Sequence, residues 1–211
     1  TAGKKMGCRA QLTWFRQVLS LCEYPDLIDL AKEIFPADVR ETAKCLLKGT
    51  GTGIGAYSES KGVRLVRQAV AEFITNRDGI LAETESIFLT DGASKGVQSA
   101  LRILISSERD GIMIPIPQYP LYSATITLFG ARQVPYFLDE EHGWVLDEFM
   151  LESAITEAKA KGTRVRAICV INPGNPTGSV LTEDNIEMVL RFAQRHNLAV
   201  LADEVYQDNI Y

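Results

Sequence analysis

Arg166-Ala-Ile-Cys-Val-Ile-Asn-Pro-Gly-Asn-Pro-Thr-Gly178 and, one helical stretch later, Leu198-Ala-Val-Leu-Ala-Asp-Glu-Val-Tyr206 decide the fold. Each opens as an apolar, β-rich run and closes on polar residues. Thr182 to Asn197 between them carries the spacing of a helix, so the two runs read as neighbouring buried strands of a parallel sheet. Ligands of such sheets sit at the carboxyl ends of the strands. Asn172–Gly178 and Asp203–Tyr206 both fall there, which aims an amide, a carboxylate and a phenol at one crevice.

Upstream the same alternation continues. Helix Val63–Asn76, with Val66, Val70, Phe73 and Ile74 inward, leads to strand Ser86–Thr90. Helix Ser94–Ser106, with Val97, Leu101, Leu104 and Ile105 inward, leads to strand Gly111–Ile114. A helix over Leu121–Phe129 precedes strand Arg132–Phe137, and helix Asp147–Lys161 precedes the Arg166 strand. Leu146 and Leu151 are spaced as a hydrophobic staple around an Asp147 cap. Repeated strand–helix units with short connections mean an α/β fold: a mainly parallel sheet with helices on both faces.

The N-terminal part reads differently. Gln11–Cys22 places Leu12, Phe15, Leu19 and Cys22 at helical spacing, and Trp14 with Phe15 reads as packing. Pro36–Lys48 is a second helix, with Pro36 in its first turn, Gly49 at its end and Val39, Ala43, Leu46 and Leu47 on its apolar face. The aperiodic, Gly-rich loop Gly49–Gly62 follows. Residues 1–48 are therefore expected to form an N-terminal segment contributing to a small domain, and 49–211 the N-terminal part of a large, ligand-binding domain.

Composition excludes several classes. At 211 residues with 46% apolar residues the chain can bury a core, and a net charge of -5 gives no basic surface for nucleic acid or for a membrane. No apolar run approaches a transmembrane length, and Thr1–Arg9 has no signal-peptide apolar core. Cys8, Cys22, Cys45 and Cys169 are scattered, and with only His142 and His196 beside them no zinc site is expected. His196 reads as a dipole partner in the last turn of its helix.

Three segments carry chemistry. Asp91-Gly-Ala-Ser-Lys-Gly96 stands between a strand and a helix, so its N–H groups and the Ser94 hydroxyl form either a phosphate cradle or a plain turn capped by Ser94. Asn175, between Gly174 and Pro176 in a stiff loop, either belongs to a rigid turn or presents its amide to a ligand oxygen. Asp203 follows an apolar strand, where an unpaired carboxylate is costly. It either meets a cation, for which a protonated pyridine nitrogen is suited, or caps the next element or pairs with an arginine. Gly51-Thr-Gly-Ile-Gly-Ala56 imitates a dinucleotide fingerprint, but it follows a helix rather than a strand and is rejected as one.

Taken together, these segments resemble the class I/II aminotransferases, the fold-type I enzymes that use pyridoxal 5'-phosphate, and within them the alanine aminotransferase branch. The resemblance runs end to end, on Phe15-Arg-Gln-Val-Leu-Ser-Leu-Cys22, Gly55-Ala-Tyr-Ser58, Pro115-Ile-Pro-Gln-Tyr-Pro-Leu-Tyr-Ser-Ala124 and Leu201-Ala-Asp-Glu-Val-Tyr-Gln-Asp-Asn209. It implies that Ala93 and Ser94 bind the cofactor phosphate, that Tyr119 stacks on its ring, and that Asn175 and Tyr206 bond its phenolic oxygen. It implies that Asp203 keeps the ring nitrogen protonated and that Tyr57 reaches the phosphate of a neighbouring subunit in a homodimer. It places the Schiff-base lysine beyond Tyr211, so no catalytic residue is expected among these residues. The chain then reads as a fragment that is inactive alone. The implied reaction moves the amino group of L-alanine to 2-oxoglutarate, with amino acids and 2-oxo acids as the small-molecule partners and a cytoplasmic or mitochondrial setting. The alternatives are a glutamate:glyoxylate or other amino-acid aminotransferase of the same fold, and a non-catalytic binding or regulatory module built on it.

Overall fold

The structure is a computed structural model that describes residues 7–51, 53–55 and 57–210, with side chains from residue 13 onward. Readings that fall on residues 1–6, on the Cys8, Gln11 and Leu12 side chains, on Thr52 and Ala56, or on Tyr211 lie outside the described residues. The chain forms two compact units, Thr1–Thr90 and Asp91–Tyr211. The expected boundary at 48/49 falls inside the first, near the end of a helix.

The first unit is helical: α1 (Gly7–Glu23), α2 (Leu27–Leu30), α3 (Ala37–Thr50) and α4 (Arg64–Asp78), then a 3-10 turn at Thr84–Ser86. Val18, Leu21 and Cys22 of α1 pack with Ile28, Val39 and Ala43. This corrects the expected face of α1: Phe15 and Leu19 are exposed, while Trp14 is partly buried and donates its Nε1 to Asp38 at 2.8 Å. Residues 12, 15, 19 and 22 share helical spacing, but so do 14, 18, 21 and 22, and only contact with α3 chooses between them. Gly49 does not end α3. The helix runs through it, at a position where a Cβ would lie 2.8 Å from Leu65 Cδ2, and it stops at Gly51, whose φ of 69° suits glycine.

Two further expectations fail in this unit. Phe73 of α4 is exposed, and the buried positions are Arg67 and Ala71. Arg67 is held there by Glu59, by Gly62 O at 3.0 Å and by Thr84 O at 3.0 Å, so it serves as an internal tie. Ser86–Thr90 is not a strand. Ile87 is extended and Leu89 N–H donates to Lys61 O at 2.9 Å, but no ladder forms on the segment among the described residues. β character needs a paired neighbour as well as a β-prone sequence.

The second unit matches the predicted alternation: α5 (Ala93–Leu104), β1 (Asp110–Ile116), α6 (Leu121–Leu128), β2 (Arg132–Phe137), α7 (Glu148–Ala160), β3 (Arg164–Ile171), α8 (Glu183–His196) and β4 (Ala199–Asp203). The strands form one parallel sheet in the order β2-β1-β3-β4. Ile112, Ile114, Ala167 and Cys169 face Leu101 and Ile105 of α5 and Tyr122 and Ile126 of α6. Met113, Val134, Tyr136 and Ile168 face Leu151 and Ile155 of α7 and Val189 and Phe192 of α8. Helices thus cover both faces, as expected.

Local chemistry fixes the joints. Asp147 caps α7 by accepting from Phe149 N–H at 2.9 Å, with Leu146 and Leu151 buried beside it, and Thr182 caps α8 by accepting from Asn185 N–H at 3.2 Å. Asn197 closes α8 in the left-handed region. Gly111 pairs with Val165 and Ile112 with Ala167, so Arg166 is bulged out and Val165 shares the face of Ile168. At the amino ends of the strands the buried Asp110 carboxylate accepts from Arg164 Nε at 2.6 Å and from the Ser106 and Ser107 N–H groups at 2.9 Å.

Candidate functional site

Parallel strands end on the same side, so the segments that follow β1, β3 and β4 meet at the carboxyl edge of the sheet. Tyr119 comes from the turn after β1, Asn175 from the loop after β3, and Asp203 from the last position of β4, with Tyr206 in the turn beyond it. Together with Ala93 and Ser94 at the start of α5 they line one cavity of about 230 Å³, whose other walls are Val97, Leu121, Ile171 and Val205.

The start of α5 has no side-chain cap. Gly92 is the cap residue, at φ 78°, so the expectation that Ser94 caps the helix is not met, and Ser94 lies inside the first turn, exposed. The first N–H groups of a helix have no intrahelical acceptor and carry the positive end of the dipole. Here Ala93 and Ser94 of that first turn border the cavity, a setting that suits an anionic group.

The loop after β3 holds its shape through its own bonds. Asn172 Oδ1 accepts from Leu181 N–H at 3.0 Å, Gly174 N–H donates to Ser179 O at 2.8 Å, and Gly178 N–H donates to Gly174 O at 2.8 Å. Gly174 has no room for a side chain, because a Cβ would collide with Thr177 Oγ1. Asn175 stands at the crest of this closed loop, half-buried, on the cavity wall.

Asp203 is half-buried and both its oxygens are engaged by neutral donors. Oδ2 accepts from the Tyr122 hydroxyl at 2.6 Å, and Oδ1 accepts from Val205 N–H at 3.2 Å, the local cap that the sequence allowed for. Among the described residues no lysine, arginine or histidine forms an ion pair with it. Its negative charge is therefore unbalanced at the cavity wall. Tyr122 is the residue that the sequence reading missed. It is buried on α6, and burial, then the hydrogen bond to the Asp203 charge, push its phenol far above the usual range. Its spacing of three from Tyr119 was the available signal, blurred because Tyr119 precedes the helix. Burial, then the Asp203 charge, also push the Cys169 thiol up, so that neighbour is neutral.

The donor set fits a planar ligand with an anion at one end and a protonated ring nitrogen at the other: helix N–H groups, apolar walls with one tyrosine face, an amide and phenol, and a carboxylate lacking a cation. Tyr57, the remaining expected residue, belongs to the first unit. It is fully exposed there and borders a cavity of about 330 Å³ with Gly53, Ser58, Glu59 and Arg64. His196 does more than meet a helix dipole: its Nε2 is 2.9 Å from Glu152 Oε2 and its ring packs on Phe192. Among the described residues no group of three or more His, Cys, Asp or Glu could hold a metal ion, and Cys22, Cys45 and Cys169 are free.

The family model for aminotransferase class I and II matches residues 17–211. The chain is 52% identical over 202 residues, 95% of its length, to glutamate–glyoxylate aminotransferase 2 of Arabidopsis thaliana, of which it covers 42%. It is 50% identical over 205 residues to alanine aminotransferase 1 of Homo sapiens, covering 95% of this chain and 41% of that protein. Among solved structures, an alanine aminotransferase from Pyrococcus furiosus superposes with a TM-score of 0.67 at 28% identity, over 77% of this chain and 39% of that one. The chain thus spans about two fifths of the length of the relatives it matches.

Proposed function

The chain belongs to the class I and II aminotransferases, and on that premise we propose that it supplies most of the pyridoxal-phosphate site of an enzyme that moves the amino group of L-alanine to 2-oxoglutarate. The observation that carries this reading is the convergence of Ala93, Ser94, Tyr119, Asn175, Asp203 and Tyr206 on one cavity. When bound, pyridoxal phosphate supplies an electron sink for the electrons left by a departing α-proton. The N–H groups of Ala93 and Ser94 and the Ser94 hydroxyl bind its phosphate. Tyr119 covers the ring and keeps water from that face. Asn175 and Tyr206 orient the ring through its phenolic oxygen, and Asp203 holds the proton on the ring nitrogen. Tyr57, whose full exposure leaves its hydroxyl available, serves the phosphate bound by a partner subunit of a homodimer.

A second reading within the family, transfer from glutamate to glyoxylate, is favoured by the 52% identity to glutamate–glyoxylate aminotransferases 1 and 2 of Arabidopsis thaliana. One experiment separates the two. A protein carrying this chain at the full length of its relatives is loaded with pyridoxal phosphate, and initial rates are compared for L-alanine with 2-oxoglutarate and for L-glutamate with glyoxylate. The larger kcat/KM is expected for the first pair. A larger value for the second pair transfers the assignment to it, and no transfer with either pair, despite bound cofactor, overturns both assignments.

A further inference from the structure

We propose that Tyr122 is a positioning residue that holds the Asp203 carboxylate in place to face the ligand's ring nitrogen, so that the proton they share resides on the nitrogen. This rests on the function proposed above and adds a residue to it. A lysine or arginine beside Asp203 would satisfy its oxygens but cancel its charge, leaving nothing to attract a cationic ring. A phenol satisfies Oδ2 and leaves the charge in place. The 2.6 Å bond is of the short kind that an O–H makes to a carboxylate.

The placement is rigid. Tyr122 is 1% exposed and packs with Ile112, Ile114, Ile126 and Cys169, so its hydroxyl cannot turn away. Asp203 is fixed from the other side by Val205 N–H on Oδ1 and by its own carbonyl, which accepts from Asn172 N–H at 2.9 Å. The buried phenol also stays protonated, since burial and the Asp203 charge both oppose its ionisation. It is thus a permanent donor.

Without Tyr122, Oδ2 loses the donor that fixes it, the carboxylate turns away from the ring nitrogen, and the proton there loses its partner. The ring is then a poorer electron acceptor even though the carboxylate is still present.

The test uses the full-length protein loaded with pyridoxal phosphate labelled with nitrogen-15 in the ring. The nitrogen chemical shift reports where the proton lies, which packing alone does not set. In the unaltered protein the shift is expected to be that of a protonated ring. In Tyr122→Phe it moves toward the unprotonated value, and kcat falls roughly ten- to hundred-fold, the effect of losing one hydrogen bond to a charged group. Replacing Tyr122 by 4-aminophenylalanine, which keeps the ring and a weaker donor, gives an intermediate shift and serves if the Phe variant does not fold. Unchanged shifts in the folded variants would overturn the proposal and leave Tyr122 a packing residue. Absence of a protonated ring in the unaltered protein, or failure to bind the cofactor, would instead count against the function on which it rests.

Discussion

A single carboxylate carries the most weight at the residue scale. Asp203 sits where a strand leaves the core, held by two neutral donors and unbalanced by any cation among the described residues. In the full-length protein, Asp203→Asn is expected to lower kcat/KM by a factor of about 10²–10⁴, from roughly 3–5 kcal/mol lost with a desolvated ion pair. Asp203→Glu keeps the charge, misplaces it, and should lose less. Steady-state kinetics of the two variants decide it, and an Asn variant with near-normal turnover would reduce Asp203 to a turn cap. Asp203 was legible as a candidate because an acidic residue directly after an apolar run is conspicuous. Tyr122 was not legible, since its partner lies 81 residues away and only the fold brings the two together.

Elements differ in how firmly their sequences specify them. Helix starts with polar caps, Asp147 and Thr182, lie where the pattern put them, because a cap is a bond between near neighbours. The start of α5 has Gly92 as its cap residue instead, and in the function proposed above Ser94 there binds the cofactor phosphate. Ser94→Ala should weaken pyridoxal-phosphate binding by roughly 1.5–3 kcal/mol, one hydrogen bond to a charged group, with thermal stability nearly unchanged. Equilibrium dialysis beside a melting curve checks both parts, and equal affinity would remove Ser94 from the phosphate site. In β1 the constraint is room rather than bonding. A Cβ on Gly111 would lie 2.5 Å from Thr163 Cγ2 and 2.9 Å from Val134 Cγ2. Gly111→Ala is expected to cost about 1–3 kcal/mol in urea unfolding, and Thr163→Ser, which removes the nearest methyl, should return part of that loss. Additive costs in the double variant would contradict the steric account. The element that the sequence misjudged, Ser86–Thr90, has the composition of a strand and no ladder among the described residues, because pairing is supplied from outside the segment.

For the molecule as a whole, the Asp110 clamp ties acid stability to the sheet. The Arg164 guanidinium, chiefly, holds this carboxyl well below its usual range against the opposing effect of burial, helped by the Ser106 and Ser107 groups. The folded state therefore takes up this proton at lower pH than the unfolded chain does. The clamp contributes its full stability above the unfolded value of about 3.9 and loses it as the pH falls from there toward the folded value. Acid unfolding followed by circular dichroism should be less steep below about pH 4 in Asp110→Asn, which lacks that proton. An unchanged slope would show that other carboxylates dominate. Taken by itself, the amino-acid sequence determined the alternation of strands and helices in the second unit, its parallel sheet and the candidate residues at the strand ends. Apolar periodicity, caps and glycines act over a few residues and are written locally. The tertiary structure alone decided the strand order β2-β1-β3-β4, the face that α1 buries, the burial of Arg67 and the Tyr122–Asp203 bond. Each of these is a choice among partners distant in the chain, and only packing the whole chain selects among them.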